Sequence, residues 1–157
     1  TLAAALAARC GTVHAAEYGR ECWEARQGRL EEADMLHIAR TQVAREEALL
    51  AKATRWLICD TSPLTTLLYA NALFGGAVLA LQELALRRYD CVFLCDPDVP
   101  FVQDGTRRDE DFRQWQHAWY LRELQARNIP YQLLQGDWHQ REAVALKALM
   151  DRDGDVS

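Results

Sequence analysis

No apolar run in this chain approaches the ~20 residues that a membrane-spanning helix needs, so no bilayer span is expected. Cations are in deficit: 18 Lys and Arg stand against 23 Asp and Glu, a formal charge of −5. Non-specific nucleic-acid binders depend on clustered cations to displace counterions, so this domain is not expected to bind nucleic acid. The amino terminus lacks a basic leader, since Leu2 to Ala8 is Ala-rich only, and no signal peptide is read there. The five cysteines are an odd number with no repeated spacing. Cys91 and Cys95, four apart on an expected strand, would stand ~13 Å apart, about twice the reach of a disulfide. Reduced, buried thiols and a cytoplasmic location are expected. The four histidines, His14, His37, His117 and His139, form no His-x₃-His or Cys/His cluster, which argues against a zinc site.

Half of the 157 residues are hydrophobic and about a quarter are charged, the balance of a globular protein long enough to bury a sizeable core. One domain over residues 1–150 is expected, with 151–157 as a tail. The stretch from Tyr89 to Arg108 organises it. The strand-forming run Cys91-Val92-Phe93-Leu94-Cys95 breaks into a loop of Asp, Pro and Gly that ends in Arg107 and Arg108. In open α/β sheets ligands sit beyond the carboxyl ends of parallel strands, so Asp96, Asp98, Asp104, Arg107 and Arg108 read as a ligand-binding edge. The same residues also read as ordinary turn chemistry.

Elsewhere, Thr1 to Arg9 is expected as helix and Thr12 to Ala16 as a short strand that ends at Glu17-Tyr18-Gly19-Arg20-Glu21. A charged stretch, Cys22 to Glu32, leads to a helix whose apolar stripe runs through Met35, Ile38, Ala39, Val43, Leu49 and Leu50. Trp56 to Cys59 reads as a buried strand ending in Asp60, the form of a Walker-B element whose carboxylate serves Mg²⁺. Ser62 and Pro63 start a helix over 64–73, Gly75-Gly76 interrupts, and 77–88 resumes it. Residues 108–127 form a helix in which Phe112, Trp115 and Trp119 make an aromatic stripe, core or stacking surface. Residues 131–134 give a last strand and 140–150 a last helix. Strands alternating with helices build parallel crossovers.

The ordered set EYGRE (Glu17 to Glu21), CDTSPLTT (Cys59 to Thr66), RRYD (Arg87 to Asp90), DPDVPFVQDGTR (Asp96 to Arg107) and NIPYQLLQGD (Asn128 to Asp137) spans nearly the whole chain. In order and spacing it resembles the ribosylnicotinamide kinase domain of bacterial bifunctional NAD-salvage regulators, and more broadly the AAA-type P-loop ATPase-like proteins. The resemblance implies a P-loop NTPase-like three-layer α/β/α sandwich with a parallel sheet, using ATP and Mg²⁺ to phosphorylate the 5′-hydroxyl of a nucleoside-like small molecule, nicotinamide riboside first. By motif, Glu17 would orient or deprotonate the hydroxyl, Asp60 would stand near Mg²⁺, and Arg107 with Arg108 would reach the transferring phosphoryl group. Tyr18 and Arg20 would hold sugar or phosphate, and Asp98, Phe101 and Asp104 the acceptor or its loop. Glu17 and Arg20 read equally as a local surface ion pair.

Two departures stand beside the resemblance. No G-x-x-x-x-G-K-[ST] run occurs in the 157 residues, and Thr1 looks like a residue just after that motif, on the nucleotide side. The first strand and the P-loop are then expected upstream, and a chain starting at Thr1 is expected not to transfer phosphate from ATP. An upstream domain or a second copy of the chain is the expected partner. Second, riboside kinases carry an aromatic just before E-Y-G-R, where this chain has Ala16. That favours a second reading, a nucleotide-binding regulatory sensor without kinase activity.

Overall fold

The computed structural model describes residues 1–100 and 109–154. The chain falls into two compact units, residues 1–88 and 89–157.

In the first unit Thr1 caps α1 (Leu2–Arg9), its Oγ1 accepting from Ala4 N at 3.2 Å. The Ala- and Leu-rich helix ends at Gly11, which takes the left-handed φ of 61° that its missing Cβ permits. β1 is only His14–Ala15, shorter than the expected run: the Thr12 N–H is taken by Ala7 O at 2.9 Å, closing α1, and only the Thr12 hydroxyl reaches across to Trp56 O, at 2.6 Å. Next come α2 (Tyr18–Ala25), α3 (Glu32–Leu50), β2 (Ile58–Cys59), α4 (Pro63–Phe74) and α5 (Leu79–Leu84). β1 and β2 pair in parallel, His14 opposite Ile58 and Ala15 opposite Cys59, with α2 and α3 as the crossover that parallel pairing requires.

Helix α3 starts where Glu31 N donates to Asp34 Oδ2 at 2.9 Å, while Asp34 also holds Arg26 at 2.8 Å. α4 opens on Pro63, whose missing N–H costs nothing there, and stops at Gly75 with φ of 74°. The core is built from Met35, Ile38 and Ala39 of α3, Leu64, Leu67, Leu68 and Ala70 of α4, and Leu81 of α5.

Other local expectations change too. α2 occupies residues read as a loop and a charged stretch; its only buried residue is Cys22, too little for a periodicity signal. The expected 77–88 helix shrinks to α5, and Arg87 beyond it turns to ion pairs with Glu46 at 2.9 Å and Glu47 at 2.8 Å. The inner stripe of α3 runs through Gln42 and Glu46 rather than Val43, Leu49 and Leu50, and Leu50 is exposed.

In the second unit β3 (Phe93–Cys95) pairs in parallel with β4 (Gln132–Leu134), joined through α6 (Glu110–Ala126). Asp109 caps α6 by accepting from Phe112 N at 2.8 Å. Trp119 is buried, whereas Trp115 is 38% exposed and stacks on Phe112 at 5.4 Å, so the aromatic stripe is split between core and surface. α7 (Trp138–Gly154) outruns the expected 140–150 span at both ends. Its start is set by a reciprocal cap, Asp137 N to Gln140 Oε1 at 2.8 Å and Gln140 N to Asp137 Oδ1 at 2.9 Å. Leu94, Leu124, Leu134, Ala145 and Leu149 fill this core. Among the described residues the strands thus form two parallel pairs, helix-clad α/β structure; no helix of them is long and apolar enough to cross a membrane.

Candidate functional site

The register of β1 and β2 decides where their acidic residues emerge. Because Ala15 sits opposite Cys59 and Asp60 N donates to Ala15 O at 2.8 Å, both strands end at the same level. Glu17 follows one strand and Asp60 the other, so two carboxylates leave one sheet edge. Glu17 responds to its setting. Burial lifts the Glu17 carboxyl above its ordinary value of 4.5, the Asp60 charge lifts it further, and Arg20 opposes both. A carboxylate so placed holds a proton more readily than one in water.

Just past Asp60, Thr61 takes a φ of 70°, uncommon for a β-branched residue and a conformation held only by its surroundings. At the same edge Cys59 is half-buried, and its thiol is pushed up to about 12 by desolvation and the Glu46 charge, with Arg87 opposing. It stays a protonated thiol.

Tyr18 opens α2 with every polar group engaged. Its N–H donates to Gln42 Oε1 at 2.9 Å, and its hydroxyl lies 3.0 Å from His37 Nε2. The ring meets the His37 ring edge-on, with centroids 5.6 Å apart, and the Arg45 guanidinium lies 4.6 Å from its centroid. Arg45 is itself fixed by Glu21 through paired bonds of 2.5 and 2.7 Å. The α3 residues His37, Gln42 and Arg45 therefore set the wall beside Glu17. Sequence reasoning passed over all three; the available signal was a polar Gln42 three and four residues past the apolar Ala39 and Ile38 on the inner face.

The other expected residues fall elsewhere. Arg20 is exposed, within electrostatic reach of Glu17. Thr1 serves as the cap of α1. Asp98 lies in the second unit, where it accepts from Gly136 N at 2.6 Å and pairs with Arg141, whose Nη2 also reaches Asp96 O at 2.9 Å. The Gly136 bond and Arg141 hold the Asp98 carboxyl below the ordinary range, and the group clasps the loop after β3 to the loop after β4. Phe101, Asp104, Arg107 and Arg108 lie outside the described residues.

Glu17 and Asp60 suit Mg²⁺ by donor chemistry: it takes hard oxygen ligands, one or two carboxylates plus water and phosphate oxygens, and needs no all-protein cage.

No curated protein matches the chain. A protein-family model described as an AAA domain matches residues 1–141, a span that takes in both carboxylates, the Asp98 clasp and the four strands of the described residues. By that match the chain belongs to the AAA domain family, nucleotide-binding, ATPase-type domains of P-loop-like α/β build.

Proposed function

We propose that this protein transfers the γ-phosphoryl group of ATP to the 5′-hydroxyl of a nucleoside-like small molecule, with nicotinamide riboside the first candidate. The observation that carries the reading is the pair of carboxylates leaving adjacent parallel strands, one of them with its affinity for a proton raised by burial. A general base works best when its pKa lies near the operating pH, and Glu17 is shifted in that direction. In the proposed step Glu17 takes the proton of the attacking hydroxyl. The hydroxyl oxygen bonds to the γ-phosphorus as the bond to the bridging oxygen breaks, and ADP leaves. Asp60 would hold Mg²⁺, which supplies charge neutralisation at the phosphates. Arg20 helps keep Glu17 ionised between turnovers. Arg107 and Arg108 are assigned the phosphoryl-facing cations on the strength of their motif alone. Such chemistry is mainly positioning and charge stabilisation.

A second reading, a nucleotide-occupied regulatory module without transfer, is favoured by one observation: Ala16 is exposed and offers no ring for an acceptor base to stack on. One assay separates the two. The full-length gene product is given Mg–ATP with nicotinamide riboside and a panel of nucleosides, beside Glu17→Gln. The kinase reading expects a phosphorylated nucleoside and a turnover lowered roughly 10²–10⁴-fold in the variant, with circular dichroism unchanged. ATP binding without any phosphorylated product would transfer the argument to the sensor, and full turnover in Glu17→Gln would remove Glu17 from the mechanism.

A further inference from the structure

Gln42 is only 2% exposed and sits on the inner face of α3, where its neighbours Ile38 and Ala39 are apolar core. A primary amide has an acceptor oxygen and two N–H donors. Gln42 Oε1 accepts from Tyr18 N at 2.9 Å, but Nε2 has no hydrogen-bond partner among the described residues. Turning the amide over does not relieve this. It would set Nε2 against the Tyr18 N–H, donor against donor, so the backbone fixes which atom is left over. A buried donor without a partner is costly and is uncommon in folded chains.

The place of that donor is defined. The bond to Tyr18 ties the amide to the first residue of α2, next in the chain to Glu17. Glu17 occupies the N-cap position of α2 but makes no side-chain capping bond. Its Oε1 lies 3.8 Å from where a Cβ on Gly19 would stand, so the carboxylate leans over the first turn of the helix. The amino end of an eight-residue helix therefore carries an uncommitted acceptor and an uncommitted buried donor.

We propose that Gln42 is a ligand-binding residue: its Nε2 donates to a hydroxyl oxygen of a hydroxyl-bearing acceptor, a ribonucleoside, whose hydroxyl hydrogen is directed to Glu17. The inference rests on the kinase-site reading of Glu17 and adds the group that recognises the substrate. A hydroxyl both gives and takes a hydrogen bond, so it is the group that satisfies a carboxylate and an amide N–H together. A carboxylate or phosphate at this point would meet the charges of Glu17 and Asp60. An ammonium would leave Nε2 unanswered.

The test is a titration of the full-length protein with nicotinamide riboside, adenosine and cytidine, each beside its 2′-deoxy and 3′-deoxy analogues, read by the side-chain amide resonances of Gln42. One ribonucleoside is expected to shift the Nε2 signals, and the analogue lacking the contacted hydroxyl to bind about tenfold more weakly without that shift. Gln42→Glu keeps the acceptor for Tyr18 N and loses the donor. It is expected to bind the ribonucleoside about tenfold more weakly and to lose nothing further with the deoxy analogue. A ribonucleoside that moves the Tyr18 and Gly19 signals and leaves those of Gln42 in place overturns the proposal, as does a panel that shifts none of them. Phosphorylation with unmoved Gln42 signals sinks this inference and spares the kinase reading; shifted signals with no phosphorylated product do the reverse. The wild-type titration stands even if Gln42→Glu fails to fold.

Discussion

Glu17 shows how one side chain trades stability against chemistry. Its carboxyl is raised above 4.5 in the folded chain, chiefly by burial and next by the Asp60 charge. Between the unfolded value and the raised folded one, the native chain keeps a proton that the unfolded chain has released. Stability then falls as pH rises through that window; the contribution is full below 4.5 and lost above the raised value. Glu17→Gln removes this dependence because its amide does not titrate. Urea unfolding at a series of pH values should show wild type and variant converging in acid, with the variant gaining relative stability as pH rises from 4.5 toward neutral. A difference that stays constant over that range would mean that Glu17 is not desolvated as described. Asp98 runs the other way, lowered by Gly136 N and Arg141, as befits a carboxylate used as a clasp and not as a base.

Helix α3 is the element on which the first unit depends, because it faces α2, β1, α4 and α5 together. Its inner face ends in Glu46, only 1% exposed at its side chain, which Arg87 holds from beyond α5. Breaking such a pair by removing one partner is destabilising, and Arg87→Ala should cost about 3–5 kcal/mol in denaturant unfolding. Adding Glu46→Leu to it should recover much of that loss, since the buried charge then disappears as well. If the double variant is no more stable than Arg87→Ala, the charge on Glu46 is not the source of the cost.

The sequence made parts of this arrangement legible and hid others. β2, β3 and Asp60 were readable because apolar β-formers ending in an acid make a sharp local contrast; β1 was only a weak candidate ahead of Glu17, and β4 a short run after Pro130. α2 was not, since it buries Cys22 alone and is held by Tyr18, Glu21 and their α3 partners. The place of Glu17 just past β1 was legible, but the α3 side chains that hold Tyr18 and Glu21 beside it were not. His37, Gln42 and Arg45 act across 19 to 24 residues of chain, and as a sequence pattern they only interrupt an apolar stripe. Pair contacts of that length leave no local signal.

At the scale of the whole chain, each compact unit carries its own short parallel pair and its own core. A two-stranded sheet is marginal alone in water, so each pair must draw its stability from helices packed on it. In the first unit that packing centres on Leu68 and Met35, and in the second on Leu134, Ala145 and Leu149, all almost wholly buried. Leu68→Ala and Leu149→Ala should each cost about 2–5 kcal/mol through lost burial and the cavity left behind. Because the two cores are separate sets of side chains, hydrogen exchange should report each cavity locally. Leu68→Ala should speed exchange in α3 and α4 and leave β3, β4 and α7 close to wild type, and Leu149→Ala should do the converse. Equal acceleration of both units by either variant would show one cooperative unfolding unit spanning residue 88. Glu17, Asp60 and Gln42 all belong to the first unit. Under local unfolding, Leu149→Ala should also leave the pH dependence that Glu17 gives the first unit unchanged.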